Sequence, residues 1–218
     1  MARVGVRERL ERRIRRARLD VSREVLARLT DYFTLLTTWN QKMNLTADVE
    51  SDDAIDRLVV EPLMAARFIE PSDASVIDIG SGGGSPAIVL KSALPFLSLW
   101  MVEAKTRKSA FLREVARQLA LDRVSVETSR FEALLTRPDL HENFDFVTVR
   151  AVKTDAGALL RLQALLKPTG QILLFSSSIL PKIEGPTLPL VVEAVEPLVQ
   201  ALGSQLVRFR KVPASQSR

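Results

Sequence analysis

The chain has 218 residues, 46% hydrophobic and 26% charged, with a formal net charge of +5. That is a globular composition, enough for one large core or a core plus an appendage. No cysteine is present, which excludes disulfides, thiolate metal sites and cysteine nucleophiles, and there is no apolar run of the ~18 residues that a membrane-spanning helix needs.

The positive excess is concentrated at the start. Arg3, Arg7, Arg9, Arg12, Arg13, Arg15, Arg16 and Arg18 meet only Glu8 and Glu11 before Asp20. Such a block suits a polyanion partner, with a solvated terminus as the plain alternative. Residues 1–20 read as a basic helix with Leu10, Ile14 and Ala17 on one face. A firmer helix follows Ser22 as N-cap, because Leu26, Leu29, Phe33, Leu36, Trp39 and Met43 recur at threes and fours. Asp48, Glu50, Asp52 and Asp53 mark a loop, and a third helix is expected from Asp53 to Phe68, kinked or broken at Pro62. Pro71-Ser72-Asp73 then links to the sheet. Residues 1–70 thus read as a basic helical segment and residues 71–218 as the main domain.

The stretch Val76–Leu90 organises that domain. Val76, Ile77, Asp78 and Ile79 read as a buried strand, Gly80-Ser81-Gly82-Gly83-Gly84 as a tight turn, and Pro86 as the opening of a helix through Ile88, Val89 and Leu90. Strand and helix then alternate. Strands are expected at Leu97–Val102, Val124–Thr128, Phe144–Val149 and Gln171–Phe175, the last entered by the Pro168-Thr169-Gly170 turn. Helices are expected at Lys105–Leu119 and Thr154–Leu166. This order predicts a parallel sheet covered on both faces. Residues 176–189 read as loop, and Leu190–Val195 and Gln205–Lys211 as two strands that pair as an antiparallel edge. The fold class is therefore α/β, with seven strands, mostly parallel.

The glycine turn has the position of a cofactor loop at the carboxyl edge of an open sheet; a turn that merely closes a βα unit is the plainer reading. A dinucleotide fingerprint would need glycine at Ser85, and a P-loop would need a Gly-Lys-Ser/Thr ending; neither is present. Instead carboxylates flank the turn. Glu103, ending the second strand, can accept from both ribose hydroxyls, and Asp78 can face an amino group or ordered water. An acidic loop disfavours pyrophosphate and suits S-adenosylmethionine, which carries a sulfonium and an ammonium.

Taken together, Trp39-Asn40 with Asn44-Leu45-Thr46, the run Asp78–Gly84 with Pro86, Lys108 with Phe111-Leu112, Ser129-Arg130 with Glu132, and Phe144-Asp145 with Arg150-Ala151 resemble one family. It is the glucose-inhibited division protein B family of bacterial 16S rRNA guanine-N7 methyltransferases, and the likeness runs from about Leu29 to Leu174. The resemblance implies a Rossmann-like class I S-adenosylmethionine-dependent methyltransferase domain after a small helical segment. It implies cofactor contacts at Gly80, Ser85, Phe131, Glu132 and Arg150; Gly82 of the same turn is a further candidate. Arg150, ending the fourth strand, can pair with the cofactor carboxylate or a substrate phosphate; an ion pair with Asp145 or Asp78 is the alternative.

The chain also departs from the family pattern. Gly84-Ser85-Pro86-Ala87 stands for Gly-Phe-Pro-Gly. Arg57-Leu58-Val59-Val60-Glu61-Pro62-Leu63 stands for Arg-His-x-x-Asp-Ser-Leu, losing the histidine and serine and lengthening the acid by one methylene. Ser176-Ser177-Ser178 replaces a lysine-glycine stretch.

Guanine N7 carries a free lone pair at neutral pH, so its methylation needs no general base. That agrees with a chain whose one histidine, His141, reads as a surface-loop residue. Cytosine-C5 methylation normally needs a cysteine, and Val149-Arg150-Ala151-Val152 stands where exocyclic-amine methyltransferases carry an Asn/Asp-Pro-Pro-Tyr/Phe segment. The expected partner is 16S rRNA or the small ribosomal subunit, with no metal and no membrane. Phosphate contacts are expected from Arg57, Lys105, Arg107, Lys108, Arg130 and the arginine arm, with a solvated helix face as the alternative for Lys105 and Arg107. Arg130 and Arg150 are expected to flank the pocket, and Asn44 and Thr46 either touch its mouth or cap a loop. A monomer in the cytoplasm is expected. The rivals are a non-catalytic RNA-binding or ribosome-assembly protein on the same fold, a small-molecule methyltransferase and a nicotinamide dehydrogenase.

Overall fold

A computed structural model of the chain describes residues 5–70, 73–152, 155–176 and 189–212. Helix α1 (Val6–Arg16) is shorter than the basic block, and it buries Leu10 and Ile14. Three of its six arginines pair with acidic residues of a later segment, and Arg15 pairs with Glu11 within the helix. Arg13 Nε donates to Asp56 at 2.7 Å, with Nη2 on the second carboxylate oxygen, while Arg9 and Arg12 pair with Asp52. Helix α2 (Arg23–Met43) starts where Ser22 Oγ accepts from Val25 N. It stops at Asn44, which takes a left-handed conformation with φ 47°. The Asn40 carboxamide oxygen accepts from Thr46 N at 2.9 Å. Asn40 and Asn44 thus shape the turn.

The third helix does not break at Pro62. A continuous helical path runs through α3 (Asp52–Ile55), a π turn (Asp56–Val60), α4 (Glu61–Ala65) and a 3-10 turn (Ala66–Phe68). Asp52 and Asp53 lie in its first turn rather than in a loop, where negative charge suits the helix dipole. Pro62 has no N–H to return to the carbonyls one turn back. Two of those carbonyls take donors from elsewhere: Arg57 O accepts from Arg150 Nη1, and Leu58 O accepts from Ser85 Oγ at 2.8 Å.

Seven strands form one sheet in the order β3-β2-β1-β4-β5-β7-β6. They are β1 (Ser75–Ile79), β2 (Ser98–Val102), β3 (Val124–Glu127), β4 (Phe144–Arg150), β5 (Leu166–Ser176), β6 (Leu190–Pro197) and β7 (Gln205–Lys211). The first five are parallel, and β7 joins β5 and β6 antiparallel, as expected. β5 begins earlier than the Pro168-Thr169-Gly170 turn suggested. Leu166 already pairs with Phe144, across an irregularity. The helices between them are α5 (Ala87–Ala93), α6 (Thr106–Gln118), one-turn α7 (Phe131–Leu134) and α8 (Ala156–Leu162). The last is cut short by a 3-10 turn at Gln163–Leu165.

Successive strand residues face opposite sides, so the sheet carries two cores. Val76, Leu99, Met101, Phe146 and Leu173 pack with α1–α6. Ile77, Ile79, Val102, Val147, Val149 and Leu174 pack with α7 and α8. The N-terminal helices share the first of these cores with α5 and α6, which fixes them against the glycine loop. Pro71, Ser72, Thr154 and residues 177–188, which include Ser177 and Ser178, lie outside the described residues.

Candidate cofactor and substrate site

Strand order reverses between β1 and β4, and the glycine loop leaves β1 at that point, where open α/β sheets bind ligands. Gly80, Gly82 and Gly84 have φ of +72°, +50° and +91°. A Cβ at Gly80 would also stand 2.5 Å from Val152 Cγ2. The loop is tied down on several sides. Gly80 N and Ser81 N donate to Val102 O at 2.9 and 3.0 Å. Gly82 N donates to Glu103 Oε2 at 3.0 Å, and Lys105 N to Glu103 Oε1 at 2.8 Å. From α2, Tyr32 Oη donates to Gly83 O at 2.8 Å.

Asp78 lies under this loop, 1% exposed. Oδ1 accepts from Thr148 Oγ1 at 2.6 Å, and Oδ2 is buried with no hydrogen-bond partner. Burial pushes its carboxyl up to about 6, against the pull of Thr148, Ser81 and Arg150. An unsatisfied carboxylate oxygen at this place fits a cationic ligand group.

A cleft of about 290 Å³ opens beside the loop. Ile79, Gly80 and Val152 form one wall, Val102, Glu103 and Ala104 a second, and Ser129, Arg130, Phe131 and Glu132 a third. Ser129 Oγ is a second buried atom without a partner. The cleft therefore offers a glycine edge, a carboxylate, a phenyl ring and a spare hydroxyl, a donor and acceptor set suited to an adenosine carrying a cationic side arm. The expected cofactor residues Gly80, Glu103, Phe131 and Glu132 are brought together here, with Asp78 beneath and Gly82 bonded to Glu103.

Ser85 is placed differently. Its hydroxyl is turned to the Leu58 carbonyl and it does not line the cleft. The departures at Pro62 and Ser85 thus compensate each other: one removes a helical donor, the other supplies one from across the interface.

Arg150 pairs with neither Asp145 nor Asp78. Asp145 is held by Lys167 Nζ and Ser75 Oγ, at 2.8 and 2.7 Å. The partner of Arg150 is Glu61, with Nη2 2.9 Å from Oε2. Burial draws the Glu61 carboxyl up and the Arg150 guanidinium down, while each partner's charge pulls the other back.

Of the expected phosphate contacts, Arg57, Lys105, Arg107 and Arg130 are exposed. Lys108 is committed inward instead, donating to Leu45 O at 3.0 Å and so fixing the Asn44–Thr46 turn. His141 is exposed, bonded to Leu135 O, and lines no part of the cleft. No group of three or more His, Cys, Asp or Glu among the described residues is placed to hold a metal ion, and no described helix is long and apolar enough to cross a membrane. The sequence reading missed Tyr32, Thr148, Ser129 and the Glu61–Arg150 pair. Tyr32 follows Leu29 by three and so belongs to the α2 stripe; the others carry no periodic signal.

Residues 25–182 match the family model described as rRNA small subunit methyltransferase G. Two relatives named ribosomal RNA small subunit methyltransferase G are similar along most of their length. One from Halorhodospira halophila is 35% identical over 77% of this chain and 77% of its own. One from Xylella fastidiosa is 36% identical over 83% and 82%. Among solved structures, a SAM-dependent methyltransferase from Aquifex aeolicus superposes with a TM-score of 0.57 at 13% identity, covering 83% of this chain and 98% of that one. The sheet and its helices thus have the Rossmann-like class I methyltransferase architecture.

Proposed function

This chain belongs to the rRNA small subunit methyltransferase G family, and on that premise we propose that it transfers a methyl group from S-adenosylmethionine to N7 of a guanine in 16S rRNA. The observation that carries the reading is the acidic glycine loop at the switch point, with the unpaired oxygen of Asp78 beneath it. Gly80 and Val152 shape the wall for the methionine end. Glu103 is held by two backbone N–H groups, so its remaining lone pairs face the cleft for ribose hydroxyls. Phe131 and Glu132 border the adenine end.

When bound, S-adenosylmethionine supplies an electrophilic methyl on a sulfonium. The guanine nitrogen needs no deprotonation, so the chain's task is to position, exclude water and hold charge. Approximation of this kind contributes ~7–11 kcal/mol in favourable cases. The target base leaves its stack to reach the cleft. Arg57, Lys105, Arg107 and Arg130, with Arg7, Arg15 and Arg16 on the outer face of α1, are the proposed phosphate contacts, the substrate being naked rRNA or the small subunit. The protein is proposed to act in the cytoplasm as a monomer.

The test joins calorimetry with S-adenosylmethionine to nucleoside mass analysis of treated 16S rRNA. Binding at micromolar level and a new 7-methylguanosine support the reading. Binding without transfer points to an RNA-binding or assembly role. Cofactor binding with weak, salt-insensitive RNA affinity points to a small-molecule methyltransferase.

A further inference from the structure

A guanidinium at a buried strand end is costly unless it is held by charge and hydrogen bonds. Arg150 closes β4 with a side chain only 10% exposed. Its guanidinium lies 4.4 Å from the ring of Phe175, its register neighbour on β5. Nη1 donates to Arg57 O, and Nη2 faces Glu61. Both of these partners come from the helical segment, Arg57 lying 93 residues earlier in the chain. One local irregularity presents both. The π turn Asp56–Val60 widens the helix just before Glu61, and Pro62 offers no N–H to compete for the Arg57 carbonyl. π turns of this kind are frequent at functional sites.

Both ends of the pair keep an unsatisfied polar atom. Glu61 Oε1 and Arg150 Nε are buried without a hydrogen bond. A pair kept for stability alone gains little over apolar side chains of the same size. The surroundings are those of the cofactor loop: β1 and β4 pair up to Ile79 and Val149, one residue before Gly80 and Arg150, and the Asp78 carboxylate acts on the guanidinium.

We infer that Glu61 is a positioning residue for methyl transfer. With the Arg57 carbonyl it fixes the Arg150 guanidinium against Phe175, so the helical segment sets where that cation stands beside the cofactor loop. The inference rests on the methyltransferase reading above and adds a residue to it.

Three variants test it, assayed for kcat and KM on small subunits, for S-adenosylmethionine affinity by calorimetry, and for the Arg150 Nε–H resonance in the free protein. Glu61→Gln keeps the size and removes the charge. It is expected to lower kcat at least tenfold, with cofactor affinity within threefold, and to broaden the Arg150 resonance. Glu61→Asp keeps the charge and is expected to return kcat to within threefold of the parent, with a sharp resonance. Pro62→Ala removes a helix-disfavouring residue and supplies an N–H one turn on from the Arg57 and Leu58 carbonyls, where it competes with Arg150 for the first as well as with Ser85 for the second. It is expected to lower kcat threefold or more without a lower melting temperature, and it decides the matter should Glu61→Gln not fold. Parent-like kcat in both Glu61→Gln and Pro62→Ala, or an Arg150 resonance indifferent to the charge at position 61, overturns the inference alone. A parent protein that transfers no methyl group overturns the methyltransferase reading and this role with it.

Discussion

Replacing Ser85 by alanine removes the hydroxyl that donates to Leu58 O at 2.8 Å. The carbonyl belongs to a buried residue, Leu58, 8% exposed, and Pro62 has no N–H to offer in its place. A buried acceptor left without a donor costs about 1–3 kcal/mol. The bond is partly buried, so Ser85→Ala is expected to cost about 1–2 kcal/mol. Pro62→Ala restores a backbone N–H one turn on. In that background the hydroxyl is no longer the sole extra donor, and Ser85→Ala is expected to cost less than about half as much. Urea unfolding of the four proteins measures the coupling. Strictly additive effects, or a Ser85→Ala cost under about 0.5 kcal/mol in the parent, would refute the idea that the two departures answer each other.

Asp78 makes stability depend on pH. Between the unfolded carboxyl value near 4 and the folded value of about 6, the folded chain binds the extra proton. Stability therefore falls as pH rises through that window, by up to about 3 kcal/mol, and Asp78→Asn is expected to flatten the dependence in melts between pH 4 and pH 7. Tyr32→Phe strips the donor from Gly83 O; it is expected to cost about 1–2 kcal/mol in urea melts and to weaken cofactor binding through the loop. Gly80→Ala puts a Cβ 2.5 Å from Val152 Cγ2 at φ +72°, so calorimetry should show cofactor affinity down at least tenfold, and unchanged affinity would remove Gly80 from the site. Neutralising Arg7, Arg15 and Arg16 to glutamine should flatten the salt dependence of RNA binding, by about 0.7–0.9 in log–log slope for each phosphate that no longer meets a cation.

The sheet was legible because its signals are local. Leu97–Val102 and Gln205–Lys211 are short apolar or alternating runs between turn residues, and they became β2 and β7 nearly as bounded. The glycine loop and its two carboxylates were legible for the same reason: Asp78 and Glu103 each lie within one residue of the carboxyl end of a strand. What stayed hidden depends on contacts between distant segments. The arginine block read as an arm for a polyanion, yet Asp52 and Asp56 fold back to neutralise Arg9, Arg12 and Arg13. Arg150 has two acidic candidates nearer in sequence or on the next strand, but Lys167 takes Asp145 and Thr148 takes one side of Asp78. Glu61 wins because a π turn rotates the helix, and no residue pattern announces that register. Ser85 read as a cofactor residue; its role shows only once Pro62 and Leu58 are seen beside it.

The central claim is that an acidic glycine loop holds a cationic methyl donor beside a purine nitrogen that needs no base. The most direct test is the 7-methylguanosine content of 16S rRNA from cells with and without this chain, read by nucleoside mass. The account predicts one such residue lost on deletion and restored by the parent chain but not by Gly80→Ala. A full complement of 7-methylguanosine in the deletion strain would contradict it.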